Sequence, residues 1–128
     1  MVSETSKHIK PTDILLHQKS RILEITFEDG AQFHLPCEYL RVYSPSAEVQ
    51  GHGPGQEVLQ VGKEDVNIKN IEPMGNYAIL LHFDDDHNTG IYSWQYLYSL
   101  GKNQESLWKG YLERLEAAGH QRKAPHTQ

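Results

Sequence analysis

His87 closes the run Phe83-Asp84-Asp85-Asp86-His87, an imidazole directly after three carboxylates. Such a set can help bind a cation, because neutral imidazole and ionised carboxylate are both ordinary transition-metal ligands. It is equally what a solvated acidic hairpin turn looks like. His82-Phe83-Asp84 matches the His-X-Asp half of a non-haem iron facial triad. On a strand, however, residues two apart share a face without any metal, and the chain is too short to close an oxygenase barrel around them. His52 stands between Gly51 and Gly53, where glycine lets backbone approach a ligand closely but also makes a flexible loop. Ser44-Pro45-Ser46-Ala47-Glu48 offers two hydroxyls and a carboxylate, with no histidine at a fixed spacing to make a triad. Gly51-His52-Gly53-Pro54-Gly55 is not a phosphate loop, since no Gly-Lys-Ser/Thr follows and no core strand precedes it. Residue types alone define no catalytic set.

The elements that must position these residues come as one unit used twice. Phe27-Glu28-Asp29-Gly30 leads to Leu35-Pro36-Cys37-Glu38-Tyr39-Leu40, and Phe83-Asp84-Asp85-Asp86-His87 leads likewise to Tyr92-Ser93-Trp94-Gln95-Tyr96-Leu97. The phenylalanines are 83 − 27 = 56 residues apart and the Tyr-Leu pairs 96 − 39 = 57, so the copies differ by one residue in the turn. Each copy reads as an alternating strand, an acidic turn, a second strand and a helix. Neither can bury its apolar face alone, so the two should share a core. Cys37 occupies the helix position of Trp94, which marks it as a packed side chain rather than a nucleophile.

The alternation of Leu23, Ile25 and Phe27 against Ile22, Glu24 and Thr26 predicts a half-buried strand over 21–27, after a first strand at 13–17 and before a partner at 32–35. Pro36 suits the first turn of a short helix over 37–42. Residues 44–62 hold two prolines and four glycines with few apolar residues and predict a long loop, a length that is often functional. Strands follow at 66–71, 77–83 and 88–92. Ser93 is a good N-cap for a helix that Gly101 would stop. A last helix over 104–118 places Leu107, Trp108, Tyr111, Leu112 and Leu115 on one stripe. The expectation is an α+β fold, two strand-turn-strand-helix units forming antiparallel sheet plus a C-terminal helix. Residues 1–11 read as a flexible arm, 12–119 as one domain and 120–128 as a disordered tail.

Composition narrows the function. The 128 residues carry 12 lysines and arginines against 17 acids, a net charge of −5, which argues against a general nucleic-acid binder. With a mean hydropathy of −0.64 and no run near the roughly 20 apolar residues a bilayer requires, no membrane span is expected. The polar start lacks the apolar core of a secretory signal, and a single cysteine suits a reducing compartment, so a cytoplasmic location is expected.

Leu40-Arg41-Val42-Tyr43-Ser44-Pro45-Ser46-Ala47-Glu48-Val49, Gly51-His52-Gly53-Pro54, Pro73-Met74-Gly75-Asn76-Tyr77 and the stretch from Phe83 to Trp94 together resemble the DUF971 family. Its members are small bacterial relatives of the N-terminal domain of gamma-butyrobetaine hydroxylase, and the likeness spans about residues 12–101. In the hydroxylase this domain precedes the iron- and 2-oxoglutarate-dependent barrel and binds a structural zinc. The resemblance implies that three closely spaced cysteines of that site fall here at Ser44, Ser46 and Val49, leaving His87 as the only retained ligand position. A Cys3His-like zinc site is therefore not expected, because serine hydroxyls stay protonated at neutral pH. DUF971 domains also look fused to ATPases carrying iron–sulfur clusters, which implies an accessory role in cluster handling.

Two readings follow. One is a non-catalytic binding module that docks a protein partner, either an iron–sulfur carrier ATPase in protein maturation or an iron oxygenase, through Ser44, Ser46, Glu48, His52 and His87. The other is a metal-binding, oxidoreductase-associated protein using His87 with His52 and nearby acids, with zinc or iron as the cofactor. Loss of the cysteines and of the barrel favours the first, with no cofactor and no catalytic residues expected.

Overall fold

A computed structural model of the chain describes residues 9–51 and 55–122. Strands β1 (Pro11–His17), β2 (Ile22–Phe27) and β3 (Gln32–Pro36) form one antiparallel meander, and β4 (Ile68–Met74), β5 (Ala78–Phe83) and β6 (Ile91–Ser93) form a second. Helix α1 (Cys37–Val42) follows the first and α3 (Trp94–Lys102) the second, with α2 (Ala47–Gln50) between the copies and α4 (Gln104–Ala117) after them. The α+β, antiparallel architecture with a C-terminal helix is the one expected, and its strands divide into two three-stranded sheets.

The repeat extends to single hydrogen bonds. Both first strands carry a register shift at the matching place, Pro11/Asp13 and Ile68/Asn70. In both hairpin turns the phenylalanine N–H donates across the turn, Phe27 to the Ala31 carbonyl at 2.8 Å and Phe83 to the His87 carbonyl at 3.0 Å. An aspartate caps each turn, Asp29 accepting from the Ala31 N–H and Asp85 from the His87 N–H, at 3.0 and 3.3 Å. The left-handed residue is Gly30 in one copy (φ +91°) and Asp86 in the other (φ +69°), and aspartate is among the few side chains that tolerate that region. His87 thus stands where the first copy has Ala31.

Alternation buries Leu23, Ile25 and Phe27 from β2 and Ile79, Leu81 and Phe83 from β5. With Tyr39 and Leu40 of α1 and Leu97 and Leu100 of α3 they form a single core, so neither sheet has an interior of its own. Four phenols, those of Tyr39, Tyr92, Tyr96 and Tyr98, donate from one copy to the other, and two of them form a reciprocal pair. Tyr39 on α1 donates to the Leu100 carbonyl of α3, and its counterpart Tyr96 on α3 donates to the Tyr43 carbonyl that ends α1, each at 2.6 Å. Each satisfies an orphan carbonyl near the end of the other's helix. Burial raises both phenols, Tyr96 to about 12, so they stay protonated donors.

Several local expectations are corrected. The stretch expected to be loop contains α2, capped by Ser46, whose hydroxyl accepts from the Glu48 N–H at 3.1 Å. The short helix expected over 37–42 is present with those bounds, and Pro36 serves both as the last residue of β3 and as the N-cap of α1. Strand β4 runs to Met74 and includes Pro73, which an edge strand tolerates because its missing N–H can face away from the ladder. Gly101 lies inside α3, where a Cβ would run into the Phe33 ring, so close packing explains that glycine. Leu112 is exposed rather than part of the α4 stripe. Strand β1 starts at Pro11, and Ile9 packs on the core. Beyond α4, the Arg122 guanidinium forms a bidentate pair with Glu38 at 2.6 and 2.9 Å. Residues 1–8 of the expected arm and 123–128 of the expected tail lie outside the described residues.

Replacing Tyr39 or Tyr96 by phenylalanine keeps the ring and leaves a helix-end carbonyl without its donor. Each variant is expected to lose about 1–3 kcal/mol in urea unfolding. Tyr98→Phe, whose hydroxyl meets an exposed Asp29 carboxylate, should lose distinctly less.

Candidate functional site

The second turn reaches the segment after α1. His87 Nε2 lies 2.8 Å from Ser44 Oγ, and Nδ1 lies 3.1 Å from Glu48 Oε1. A carboxylate offers only acceptors, so Nδ1 carries the ring proton and donates to Glu48, while Nε2 accepts from the Ser44 hydroxyl. Ser44 Oγ in turn accepts from the Ser46 N–H at 3.2 Å, and Ser46 Oγ pairs with Thr89 Oγ1 at 2.7 Å. Gln50 donates to the Ser44 carbonyl at 2.8 Å, which fixes the backbone from the other side. Hydroxyl, imidazole and carboxylate therefore form one closed chain of hydrogen bonds between α2 and the β5–β6 turn.

Burial is uneven along that chain. Ser44 is 0% exposed and the His87 side chain 3%, while the Glu48 side chain is 65% exposed. Removal from water, followed by the nearby Arg41 guanidinium, pushes the His87 pKa below its ordinary 6.5, and Glu48 and Asp85 only partly oppose this. The lowered pKa favours the neutral ring at pH 7, the form in which Nε2 accepts from Ser44. Beside it Arg41 Nε donates to Asp85 at 2.9 Å and Lys63 Nζ at 2.6 Å, while Arg41 also reaches Gln60 Oε1 at 2.9 Å. Burial works against the ionised Asp85, but the two cations outweigh it and hold the carboxyl below the usual range. Gly90 completes the joint, since a Cβ there would run into Ser44 Oγ.

Of the residues singled out from the sequence, Ser44, Ser46, Glu48 and His87 are brought together, and His52 lies outside the described residues. The His82-X-Asp84 pair is not assembled into a site. His82 meets Glu72 on the neighbouring strand at 3.1 Å, and Asp84 accepts from the Asn67 N–H at 3.1 Å. Cys37 is fully buried, and burial pushes its thiol up to about 11, which fits a packed, unreactive side chain. Sequence reasoning missed Arg41, Asp85 and Thr89. The repeat held the signal for the first two, because Arg41 aligns with Tyr98 and Asp85 with Asp29, and Tyr98 donates to Asp29 at 2.6 Å.

Fold and joint define an α+β domain of two meander–helix units, tied across the middle by a buried hydrogen-bonded clamp. The family model described as gamma-butyrobetaine hydroxylase-like, N-terminal, matches residues 14–98, well over half of the chain, and the chain belongs to that family. Among solved structures, one solution NMR structure is 54% identical with a TM-score of 0.76, and another is 44% identical with a TM-score of 0.77. Each comparison covers 92% of this chain and 93% of the other. A crystal structure of a protein of unknown function from Acidithiobacillus ferrooxidans, a DUF971 family member, is 38% identical, with a TM-score of 0.61 over 72% of this chain and 92% of that one. No curated protein matches the chain.

A zinc ion does not fit the residues at this joint. The positions that the resemblance assigns to thiolates hold Ser44, Ser46 and Val49, and the imidazole nitrogen facing them already accepts from Ser44. Among the described residues, no three of the histidine, cysteine, aspartate and glutamate side chains gather as a metal site.

Two outcomes are expected. Protein prepared without added metal should fold, with a urea midpoint that a chelator leaves unchanged. A chelator-induced drop, with stoichiometric zinc by elemental analysis, would contradict this. The second outcome concerns pH. A histidine whose folded pKa is depressed contributes stability that is full above the unfolded value of about 6.5 and declines as pH falls toward the folded value. Wild type should therefore lose stability relative to His87→Gln between pH 7.5 and 5.5. Ser44→Ala, which strips the ring of its donor, should cost about 1–3 kcal/mol at pH 7.5.

Proposed function

We propose that this chain is a non-catalytic docking module, an accessory domain that presents the joint between α2 and the β5–β6 turn to a protein partner. The observation that carries this reading is the closure of the Ser44–His87–Glu48 chain. Its hydroxyl and imidazole are buried and spent on each other, whereas Ala47, Glu48 and Asn88 on the same two segments face solvent. The clamp sets the relative position of two surface segments, as a recognition surface needs. The acidic balance supports a protein partner over nucleic acid.

Family membership supports two settings for such a partner, an iron–sulfur carrier ATPase during protein maturation and an iron oxygenase, both cytoplasmic. Metal binding through His87 with His52 and nearby acids has less support, because both His87 nitrogens are already bonded.

A photo-crosslinking residue in place of Ala47 or Asn88 tests this in the native cell, with His34 on the exposed outer face of the first sheet as the control site. The same protein should be captured from positions 47 and 88 and not from 34. Equal capture at all three, or capture from 34 alone, would defeat the proposal.

A further inference from the structure

A second feature lies beyond the clamp. A groove of about 500 Å³ runs between α4 and the segment that follows α1, walled by Val42, Val49, Val58 and Leu107. Val58 is 52% exposed and extends the apolar wall onto the surface. At one side lies Arg114, its guanidinium 5.6 Å above the Tyr43 ring and 5.9 Å from the Tyr111 ring, donating to the Tyr43 hydroxyl at 3.3 Å. Among the described residues it makes no ion pair with a carboxylate, in a chain whose acids outnumber its cations. A guanidinium held beside two aromatic rings and bonded to a phenol has few free rotations left, and its remaining donors form the fork that suits a carboxylate.

Gly110 adds an independent observation. It sits in the middle of α4, where only proline is less favourable, and it lines the same groove. A Cβ there would meet nothing within 4 Å, and its φ is not in the left-handed region, so neither packing nor backbone geometry demands glycine. The gap it leaves adds depth to the groove.

We propose that this groove docks a peptide segment of a partner protein, with apolar side chains against Val42, Val49, Val58 and Leu107 and one carboxylate on Arg114. Glu57 also lines the groove, which argues for a single acid beside apolar residues rather than an acidic run. This deepens the docking-module reading and rests on it, but it names a surface distinct from Ala47 and Asn88.

A random heptapeptide phage library panned on the full chain, followed by NMR titration with the enriched peptide, tests it. Enriched sequences should carry Asp or Glu next to Leu, Val, Ile or Phe and shift the amides of Val49, Val58 and Gly110. Arg114→Gln and Gly110→Leu should each weaken binding at least about tenfold, while Lys102→Gln leaves it unchanged. Gly110→Ala should raise the melting temperature, showing that the glycine is not there for stability. Absence of enrichment would overturn the proposal, as would acid-free winners, indifference to Arg114→Gln, or shifts confined to Tyr39 and Trp108. So would groove shifts on truncation after Arg122 or on dilution, which would assign the groove to the chain's own tail or to a second copy. Failure here with crosslinks from 47 and 88 intact removes the groove alone. Peptide binding without those crosslinks removes the clamp surface alone.

Discussion

Two tyrosine hydroxyls exchanged across the centre of the molecule are the constraint on which the rest depends. Each sheet here has three strands, the smallest number that can stand by itself, and one apolar face that must be covered. The copies must therefore pack on each other, but apolar packing is non-directional and leaves their relative rotation loosely defined. Tyr39 and Tyr96 supply direction, because each 2.6 Å bond holds only when one helix's ring sits over the other helix's end. A sliding error that kept one bond would break its mate. The pairing thus turns a shared core into a single docked arrangement, and every cross-copy contact at the candidate site is referred to it.

The candidate site exists because the copies stopped being identical. In the first turn the alanine after Gly30 gives α3 nothing to hold except Asp29, and a phenol suffices. In the second, His87 replaces that alanine, Arg41 replaces the phenol, and α1 is only six residues long. The early stop matters most. It frees Ser44 to turn toward His87, and Ser46 to start α2 with Glu48 already in its first turn, where a carboxylate also suits the helix dipole. One short helix and one changed turn residue convert a repeated contact into a joint of different chemistry.

Much of this was legible from residue order. Alternation at 22–27 and 78–83 and the duplicated Phe-acid and Tyr-Leu marks are local patterns, and each strand that rests on them is present. The misses have physical causes of two kinds. Ser46-Ala47-Glu48-Val49-Gln50 has the cap and composition of a helix, but a single turn is too short to show periodicity among prolines and glycines. The bonds from Ser44 to His87 and from Arg41 to Asp85 join residues more than 40 positions apart, and no spacing rule reports such pairs. Only superimposing the copies would have shown that the residue at Arg41 must face the turn at Asp85, since Tyr98 and Asp29 meet in the same way.

Ser44, His87 and Glu48 have the hydrogen-bond order of a nucleophilic triad, and the comparison shows why order is not function. A reacting serine needs an open face, room for a carbonyl and donors aimed at the developing oxyanion. Ser44 Oγ is shut in, with Gly90 against it so closely that even a Cβ would collide, and the Ser46 backbone N–H donates to the hydroxyl itself. The exposed member is the carboxylate, the reverse of a hydrolase, where the acid is buried and the hydroxyl faces substrate. The same three groups turned inside out make a strut. Its neutral imidazole accepts on one side and donates on the other, so it joins two segments without burying a net charge, which a single carboxylate or ammonium at that place could not do.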